Sequence, residues 1–457
     1  QRYKVLFINQ LQKWTFLSDE VRKKMEKHIF WRLINLFLLT FLVSCGNDST
    51  IESIPENPKA SSNIVSLEEA KIELEQLLDD TYNSYATRNV GMGKKIISNA
   101  FTINDKSLVT RSQEEETPII HVFNFANKEG FAIMSGNREM PSLLALADSG
   151  EISQTEAIDN PGFSIFLENM EEKYKESIST YSSGSTYKVY GKWHNLVYKP
   201  NGYCKVKWGQ ESPYNACCPL KNGEQTITGC VATAVAQLMT IEKYPYSHNG
   251  YSYDWTEMTA KAYGNYCTES GKNQIARLMI DLGTSENLNM SYNTKTNGGS
   301  GAKSQNIPRT LKNFGYSDGG HLIDYNTNTI VSELKNKHSV LVSGFSHKKV
   351  KKFLGIKVHT SYSGGHQWLC HGLLKRERLI ETYSSDGVLQ DTSLEEEWYV
   401  LCNWGWDGYE DGYYLSKAFN TVEGPVYPDT KIVDNTNGSE DYNYQYKIQA
   451  IVGIRSR

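Results

Sequence analysis

The hydrophobic positions between residues 64 and 180 predict two helices. The first begins after Ser66, which stands with Glu69 at the spacing of a capping box. Its apolar residues recur every three or four positions, the period of an amphipathic helix: Leu67, Ala70, Leu74, Leu77 and Leu78. The same spacing predicts a second helix over residues 161–179, whose apolar face is Phe163, Phe166, Leu167 and Met170.

A strand pattern lies between these helices. Residues 119–125 alternate in character, and residues 131–136 form a second apolar run. The turn sequence Asn127-Lys128-Glu129-Gly130 separates the two runs, so together they predict a β-hairpin. Residues 64–180 therefore predict a small α+β domain, and that segment contains no cysteine.

The pattern changes after an exposed linker predicted from the Ser/Gly/Tyr-rich residues 177–185. Small residues after Cys230, with apolar ones at 231, 235, 238 and 239, predict a buried helix that begins at or near this cysteine. Residues 367–370 and 399–403 predict strands, and the second strand leads into the sequence Trp404-Gly405-Trp406-Asp407-Gly408.

Composition and charge narrow the class of protein only slightly. The 457 residues include 48 Lys plus Arg and 52 Asp plus Glu, for a net charge of −4. This balance gives no electrostatic reason to expect nucleic acid or an anionic membrane surface as a partner. Hydrophobic residues at 39% are enough for a large buried core, which argues against wholesale disorder.

The N-terminal region predicts export. Residues 33–43 form an apolar run after Lys27 and Arg32, too short to cross a hydrocarbon core of about 30 Å but suited to a signal peptide. The run leads to Leu42-Val43-Ser44-Cys45, which resembles a bacterial lipobox. We expect residues 25–44 to be a lipoprotein signal peptide, Cys45 to be lipidated, and 45–63 to be a polar tether. The alternative is a buried N-terminal helix with an incidental cysteine. Residues 1–24 are an upstream segment that we leave out of the fold prediction.

The remaining seven cysteines all follow residue 200. An odd number leaves at least one thiol unpaired even in an oxidising compartment. Structural zinc is disfavoured because the sequence has no CxxC pair.

Cys230 is the candidate nucleophile. A thiol at a helix N-terminus lies at the positive end of the helix dipole, beside amides that favour thiolate and can hold an oxyanion. The alternative is a small buried cysteine in a packed helix, the commonest environment of a free cysteine.

A thiolate nucleophile needs a base, and His366 is the candidate among ten histidines. It follows Gly364-Gly365 and opens an apolar strand. Asn403, at the end of the second strand, can orient the imidazole, and a tryptophan can screen that hydrogen bond from water. For residues 404–408 the alternative is a tight turn with aromatic packing.

These segments together resemble the streptopain family of papain-like cysteine peptidases. The resemblance covers roughly residues 195–455 in the order Cys, His, Asn-Trp, and residues 122–134 and 141–150 resemble the inhibitory propeptide of the family. It departs at His371, where the family has Asp, and at residues 375–397, an insert longer than in streptopain. The motifs are Thr228-Gly229-Cys230-Val231-Ala232-Thr233-Ala234, Gly364-Gly365-His366, Asn403 to Gly408, and Asp411-Gly412-Tyr413-Tyr414.

The resemblance implies a role for each matching residue. Cys230 would be the nucleophile, His366 the general base and then acid, and Gln210 an oxyanion donor beside the Cys230 amide. Trp404 would pack over the His366 ring, with Asn403 as its orienter. Ser300 and Gly365 match positions that bind substrate backbone. No metal or organic cofactor is implied, and the S2 pocket would prefer a hydrophobic side chain.

The expected fold class is therefore α+β, with a papain-like catalytic domain over 191–457 behind an inhibitory propeptide domain over 64–190. The expected function is a cysteine endopeptidase made as a zymogen, monomeric, acting on protein or peptide substrates and inhibited by its own propeptide. It would be exported and would contact a membrane only through a lipid anchor, in the outer membrane or at the cell surface. Release of the mature form is the alternative to its staying anchored. Two alternatives are a catalytically silent surface-binding lipoprotein with this fold and an inhibitor protein.

Overall fold

The computed structural model describes residues 63–83, 95–105, 117–179, 186–198, 203–345, 352–358, 365–420 and 448–456. The predicted signal peptide, Cys45 and most of the tether lie outside these ranges. Within them, no helix combines the length and the apolar character needed to cross a bilayer.

Two helices and a four-stranded antiparallel sheet form the N-terminal part. The predicted capping box is confirmed, because Ser66 Oγ accepts from the Glu69 amide at 3.2 Å and the Glu69 carboxylate accepts from the Ser66 amide at 2.9 Å. The predicted helices and hairpin are confirmed too. The elements are α1 (Leu67–Leu78), β1 (Ile97–Asp105), β2 (Thr117–Phe125), β3 (Phe131–Ser135), β4 (Leu143–Ala147) and α2 (Pro161–Ser179).

The C-terminal part packs helices against the other half of the sheet. Its helices are α3 (Cys230–Glu242), α4 (Trp255–Met258), α5 (Glu269–Gly283), α6 (Ile307–Asn313) and α7 (Thr327–Lys335). Its longer strands are β5 (Thr186–Tyr190), β6 (His194–Tyr198), β11 (Asp318–Asp324), β12 (Val340–Phe345), β15 (Gly365–Ser384), β16 (Leu389–Asn403), β17 (Gly412–Leu415) and β18 (Gln449–Arg455). Two-residue strands are β7 (Leu220–Lys221), β8 (Glu224–Gln225), β9 (Ser247–His248), β10 (Tyr251–Ser252), β13 (Lys352–Phe353) and β14 (Ile356–Lys357).

A single antiparallel sheet joins the two parts, in the order β1-β2-β3-β4-β17-β16-β15-β12-β18-β11. The junction is the pairing of β4 with β17, where Ala145, Leu146 and Ala147 face Tyr414, Tyr413 and Gly412. Every residue of both strands is buried. A β-carbon on Gly412 would lie 2.3 Å from the Leu146 carbonyl oxygen, so the strands can approach this closely only because residue 412 is glycine.

The predicted insert at 375–397 extends β15 and β16 into a long ribbon. From Leu373 onward, β15 pairs with β6 and then with β5. Residues 186–190, which the predicted boundary at 190 assigned to the propeptide, thus form a strand on the catalytic side of the sheet. Trp193, between β5 and β6, is buried under the guanidinium groups of Arg376 and Arg378, which lie 4.7 and 4.3 Å from its ring centre.

Arg376 is fully buried where the ribbon meets the N-terminal part. Its guanidinium donates to Glu73 of α1 at 2.8 Å, to the Ser142 hydroxyl at 2.9 Å and to the Asn195 side chain at 2.9 Å. A buried cation with three acceptors stabilises the contact only while they stay in place, since an unpaired buried charge is strongly destabilising.

We expect Glu73→Ala to lower the free energy of unfolding by roughly 2–3 kcal/mol, because it leaves the Arg376 charge buried without its carboxylate. Urea unfolding of the full chain measures this. Glu75→Ala, on an exposed position of the same helix, is the matched control and should change stability by less than about 0.5 kcal/mol. Equal losses in the two variants would contradict the role of the Glu73–Arg376 pair.

Candidate active site

Helix α3 begins at Cys230, as predicted. The residue before it, Gly229, has φ of 84°, a conformation that strongly favours glycine. A β-carbon there would also lie 2.7 Å from the Ser300 carbonyl oxygen. The glycine therefore lets the loop that carries Ser300 lie directly against the turn that presents the thiol.

The Cys230 thiol is half-buried at the start of α3. Burial raises its pKa above the ordinary value, and hydrogen bonds from the backbone amides of Gln367, Cys230 and Val231 offset this only in part. Desolvation penalises the charged form more than these amides favour it. In the full chain Cys230 is therefore a neutral thiol near pH 7, and it lies beside Gln367, the residue after His366.

His366 lies at the start of β15, paired with Gly344 of β12. Its Nε2 is 2.7 Å from the Trp404 carbonyl oxygen. A carbonyl can only accept, so Nε2 carries the proton and Nδ1 keeps a lone pair that can take a proton from a thiol. Burial lowers the pKa of His366 to about 4, opposed by the bond to Trp404, so the imidazole is neutral near pH 7.

Trp404 contacts the His366 imidazole through its backbone carbonyl. The Trp404 ring packs against Trp368, with ring centres 5.2 Å apart. The rings beside His366 belong to Trp368, stacked at 6.3 Å and 15°, and Trp406, edge-on at 6.3 Å and 81°. Sequence reasoning missed Trp368 as a neighbour, although a residue two positions along a strand shares its face.

Asn403 does not orient His366 in this structure, contrary to the prediction. Its Nδ2 donates to the Val206 carbonyl at 2.8 Å, and its Oδ1 accepts from the Gly405 amide at 3.1 Å. The side chain is engaged in holding the start of the catalytic part against the 403–405 turn. The Trp404 backbone takes the orienting position instead.

His371, which stands where the streptopain family has Asp, contacts residues 203 and 204. Its Nδ1 accepts from the Cys204 amide at 3.2 Å, and its ring stacks on Tyr203. Burial lowers its pKa to about 3, so it is a neutral acceptor that anchors residues 203–204.

The other predicted residues lie on segments that contact the turn before Cys230 or belong to the strand of His366. Gln210 is buried, its carbonyl accepts from the Thr228 amide at 3.0 Å, and it lines a cavity of about 360 Å³ with Trp406. The Ser300 hydroxyl donates to the Asn293 carbonyl at 3.0 Å. Gly365 pairs with Phe345 of β12. Within the described ranges, no three His, Cys, Asp or Glu side chains are grouped to hold a metal ion.

Helix α2 of the N-terminal part covers this site. Asn160 caps the helix, because its Oδ1 accepts from the amides of Gly162 and Phe163 at 3.0 and 3.2 Å. Its Nδ2 donates to the Tyr409 carbonyl at 2.9 Å and to Glu410 at 3.1 Å, which fastens the helix start to the catalytic part.

Gly162 makes the closest approach. A β-carbon there would lie 2.2 Å from Trp404 Cε3 and 3.0 Å from His366 Cδ2. The start of α2 therefore lies against the imidazole and contributes to its burial. Sequence reasoning did not single out Asn160 or Gly162, although Asn-Pro-Gly before a helical pattern signals a cap.

Each part of the chain matches the model of a known protein family. Residues 208–414 match the model of the Peptidase C10 family, and residues 62–174 match the model of the Spi protease inhibitor.

Two curated proteins illustrate the relationship. Streptopain of Streptococcus pyogenes is 27% identical over 345 residues, covering 66% of this chain and 74% of that protein. The thiol protease/hemagglutinin PrtT of Porphyromonas gingivalis is 23% identical over 347 residues, covering 68% of this chain and 35% of that protein.

Among solved structures, a fragment of Prevotella intermedia prointerpain A has a TM-score of 0.48 at 23% identity, covering 79% of this chain and 100% of that one. Active interpain A of the same organism has a TM-score of 0.33 at 27% identity, covering 48% of this chain and 89% of that one.

The pKa directions predict how Cys230 reacts with iodoacetamide. The thiolate is the reactive form, so in the full chain the rate should rise only at alkaline pH. Once the N-terminal part is removed, His366 is hydrated and can charge as the thiolate's partner. The rate at pH 7 should then increase at least about tenfold, the change produced by one pKa unit. Mass spectrometry follows the adduct.

Gly162→Ala in the full chain should raise the Cys230 rate, because the added methyl group clashes with the Trp404 ring. Glu75→Ala should leave it unchanged. The exposed Cys217 is the internal reference for reagent activity. Identical pH profiles for Cys230 before and after removal of the N-terminal part would contradict the explanation by burial.

Proposed function

The chain carries a streptopain-like Peptidase C10 domain behind a Spi-like inhibitor domain, and from this premise we propose that Cys230 and His366 are the nucleophile and base of a cysteine endopeptidase. The chain is a cysteine protease zymogen with an inhibitory propeptide domain. The observation that carries the residue assignment is the His366 hydrogen bond to the Trp404 carbonyl. This bond leaves His366 Nδ1 without a proton. The amide of Gln367, the next residue of the strand, donates to the Cys230 thiol.

The proposed reaction follows from these positions. His366 takes the thiol proton, and the Cys230 sulfur attacks the peptide carbonyl. The Cys230 amide at the start of α3 and the Gln210 side chain stabilise the oxyanion. The imidazolium then protonates the leaving amine, and the neutral imidazole activates the water that releases the acyl-enzyme.

Latency follows from the same groups. With α2 in place the thiol and the imidazole are both neutral, so the ion pair that attacks substrate is not populated. Asn160 lines the cavity beside Gln210, which also keeps substrate out. Removing α2 hydrates His366 and opens this side of the site.

We expect a preference for hydrophobic side chains at P2. Two apolar residues near the proposed site support this. Phe345, 45% exposed, lies against Gly365, and Met290 Sδ lies 3.1 Å from a β-carbon placed on Gly229. Both would border an extended substrate bound along the site.

Cys230→Ala should abolish both maturation and turnover, because the proposed nucleophile is lost. The test incubates the protein from residue 46 onward with reductant and casein, then sequences the N-terminus of any product. The wild type should give a mature chain that begins at or before Thr186, since β5 and β6 are held by β15. Cys217→Ala, an exposed thiol, is the matched control and should mature normally.

Self-maturation of Cys230→Ala would show that the nucleophile is wrongly assigned. Gln210→Ala should mature slowly, because loss of one oxyanion donor lowers the rate about 10²–10³-fold. A mature wild-type chain that is fully inert toward casein and toward a thiol-directed epoxide would favour the silent surface-binding protein.

We also propose that the chain is exported and lipid-anchored through Cys45. The support is the apolar run of residues 33–43 followed by the lipobox-like sequence. Metabolic labelling with palmitate in a bacterial host should label the wild type and the control Cys217→Ala, and should not label Cys45→Ala. Equal labelling of all three would contradict the anchor.

A further inference from the structure

Two buried cysteines face each other behind the active site. Cys370 of β15 and Cys402 of β16 are direct partners in the antiparallel register, and their sulfurs are 3.7 Å apart. Both side chains are fully buried. Neither takes part in the proposed reaction.

The geometry suits a covalent link. Opposed residues in antiparallel strands have Cα atoms about 4.5–5.5 Å apart, inside the range of about 4.4–6.8 Å found in disulfides. The sulfurs must approach from 3.7 Å to about 2.05 Å, the length of an S–S bond. Side-chain rotation with a small strand adjustment supplies this movement.

The other thiols of the catalytic part are placed differently. Cys204 lies against the Val206 and Gln237 carbonyls and the Thr240 hydroxyl, and Cys267 lies against the Met258 carbonyl. Among the seven cysteines that the structure describes, 370 and 402 are the pair whose sulfurs are in contact.

We infer that Cys370 and Cys402 form a reversible disulfide that braces the strands carrying His366 and Trp404. Two thiols and one low-molecular-weight disulfide give the protein disulfide and two small thiols. One cysteine displaces a small thiol to form a mixed disulfide, and the other displaces the second small thiol. The two cysteine thiols are oxidised by two electrons, which reduce the small disulfide, and their two protons end on the two small thiols released.

The position of Cys370 and Cys402 determines what a disulfide between them would hold in place. Cys370 lies on the same strand face as Trp368 and His366, and Cys402 lies at the end of β16, two residues before Trp404. A bond here ties together the two strands whose side chains and carbonyl fix the imidazole. It closes a loop through the 375–397 ribbon, so it should also raise resistance to unfolding.

The test uses the full chain with Cys230→Ala, which removes the reactive thiol and self-processing. Samples are equilibrated in mixtures of reduced and oxidised glutathione, quenched with acid, alkylated with N-ethylmaleimide in denaturant and digested. Mass spectrometry should find the 370 and 402 peptides joined, two hydrogens lighter, in most molecules at the oxidising end. Alkylation of both cysteines at every mixture would overturn the inference.

Stability gives a second readout. The oxidised protein should unfold at a higher urea midpoint than the reduced protein. Adding Cys402→Ser should remove the shift, and the matched change Cys204→Ser, at a buried cysteine whose sulfur contacts no other thiol in the described structure, should keep it. Equal midpoints for the oxidised and reduced forms would overturn the bracing role. Because the peptide map is made with both cysteines present, a folding defect in Cys402→Ser leaves the main test intact.

Discussion

The pairing of β4 with β17 is the constraint on which the rest of the structure depends. It makes the inhibitor strands a continuation of the catalytic sheet, so backbone hydrogen bonds fix the position of one part on the other. The same docking sets Glu73 against Arg376 and brings Asn160 to residues 409–410. The position of the start of α2 against His366 is therefore fixed by close packing.

That placement acts through electrostatics. A cysteine–histidine pair is reactive as thiolate and imidazolium, and burial disfavours both charged forms. Here it raises the pKa of Cys230 and lowers that of His366 to about 4. The residues of the site are already assembled, with the imidazole tautomer set by the Trp404 carbonyl. Under the proposed function, latency would need only the exclusion of water, with the strands that build the site left in place.

Local signals in the sequence predicted much of the fold. The capping box of α1, the bounds of α2, the hairpin and the start of α3 at Cys230 all depend on nearby residues. The motifs also singled out Gln210 and Ser300, whose carbonyls lie against Thr228 and Gly229, the two residues before Cys230. The hydrogen bonds of Asn403 and of the Trp404 carbonyl were not predicted, because they depend on which carbonyl and amide groups converge after folding. The pairing of residues 186–190 with β15 was not predicted, because strand partners far apart in sequence leave no local signal.

The covalent connection from α2 through β5 and β6 to the catalytic part sets the effective concentration of the inhibitor part at its site. In the intact chain the inhibitor meets its site within one molecule, at an effective concentration of the order of millimolar for a short connection. A single cut before Thr186 makes the same contact bimolecular. Inhibition then falls with dilution. At high concentration the cut chain stays partly inhibited, and after dilution it becomes fully active.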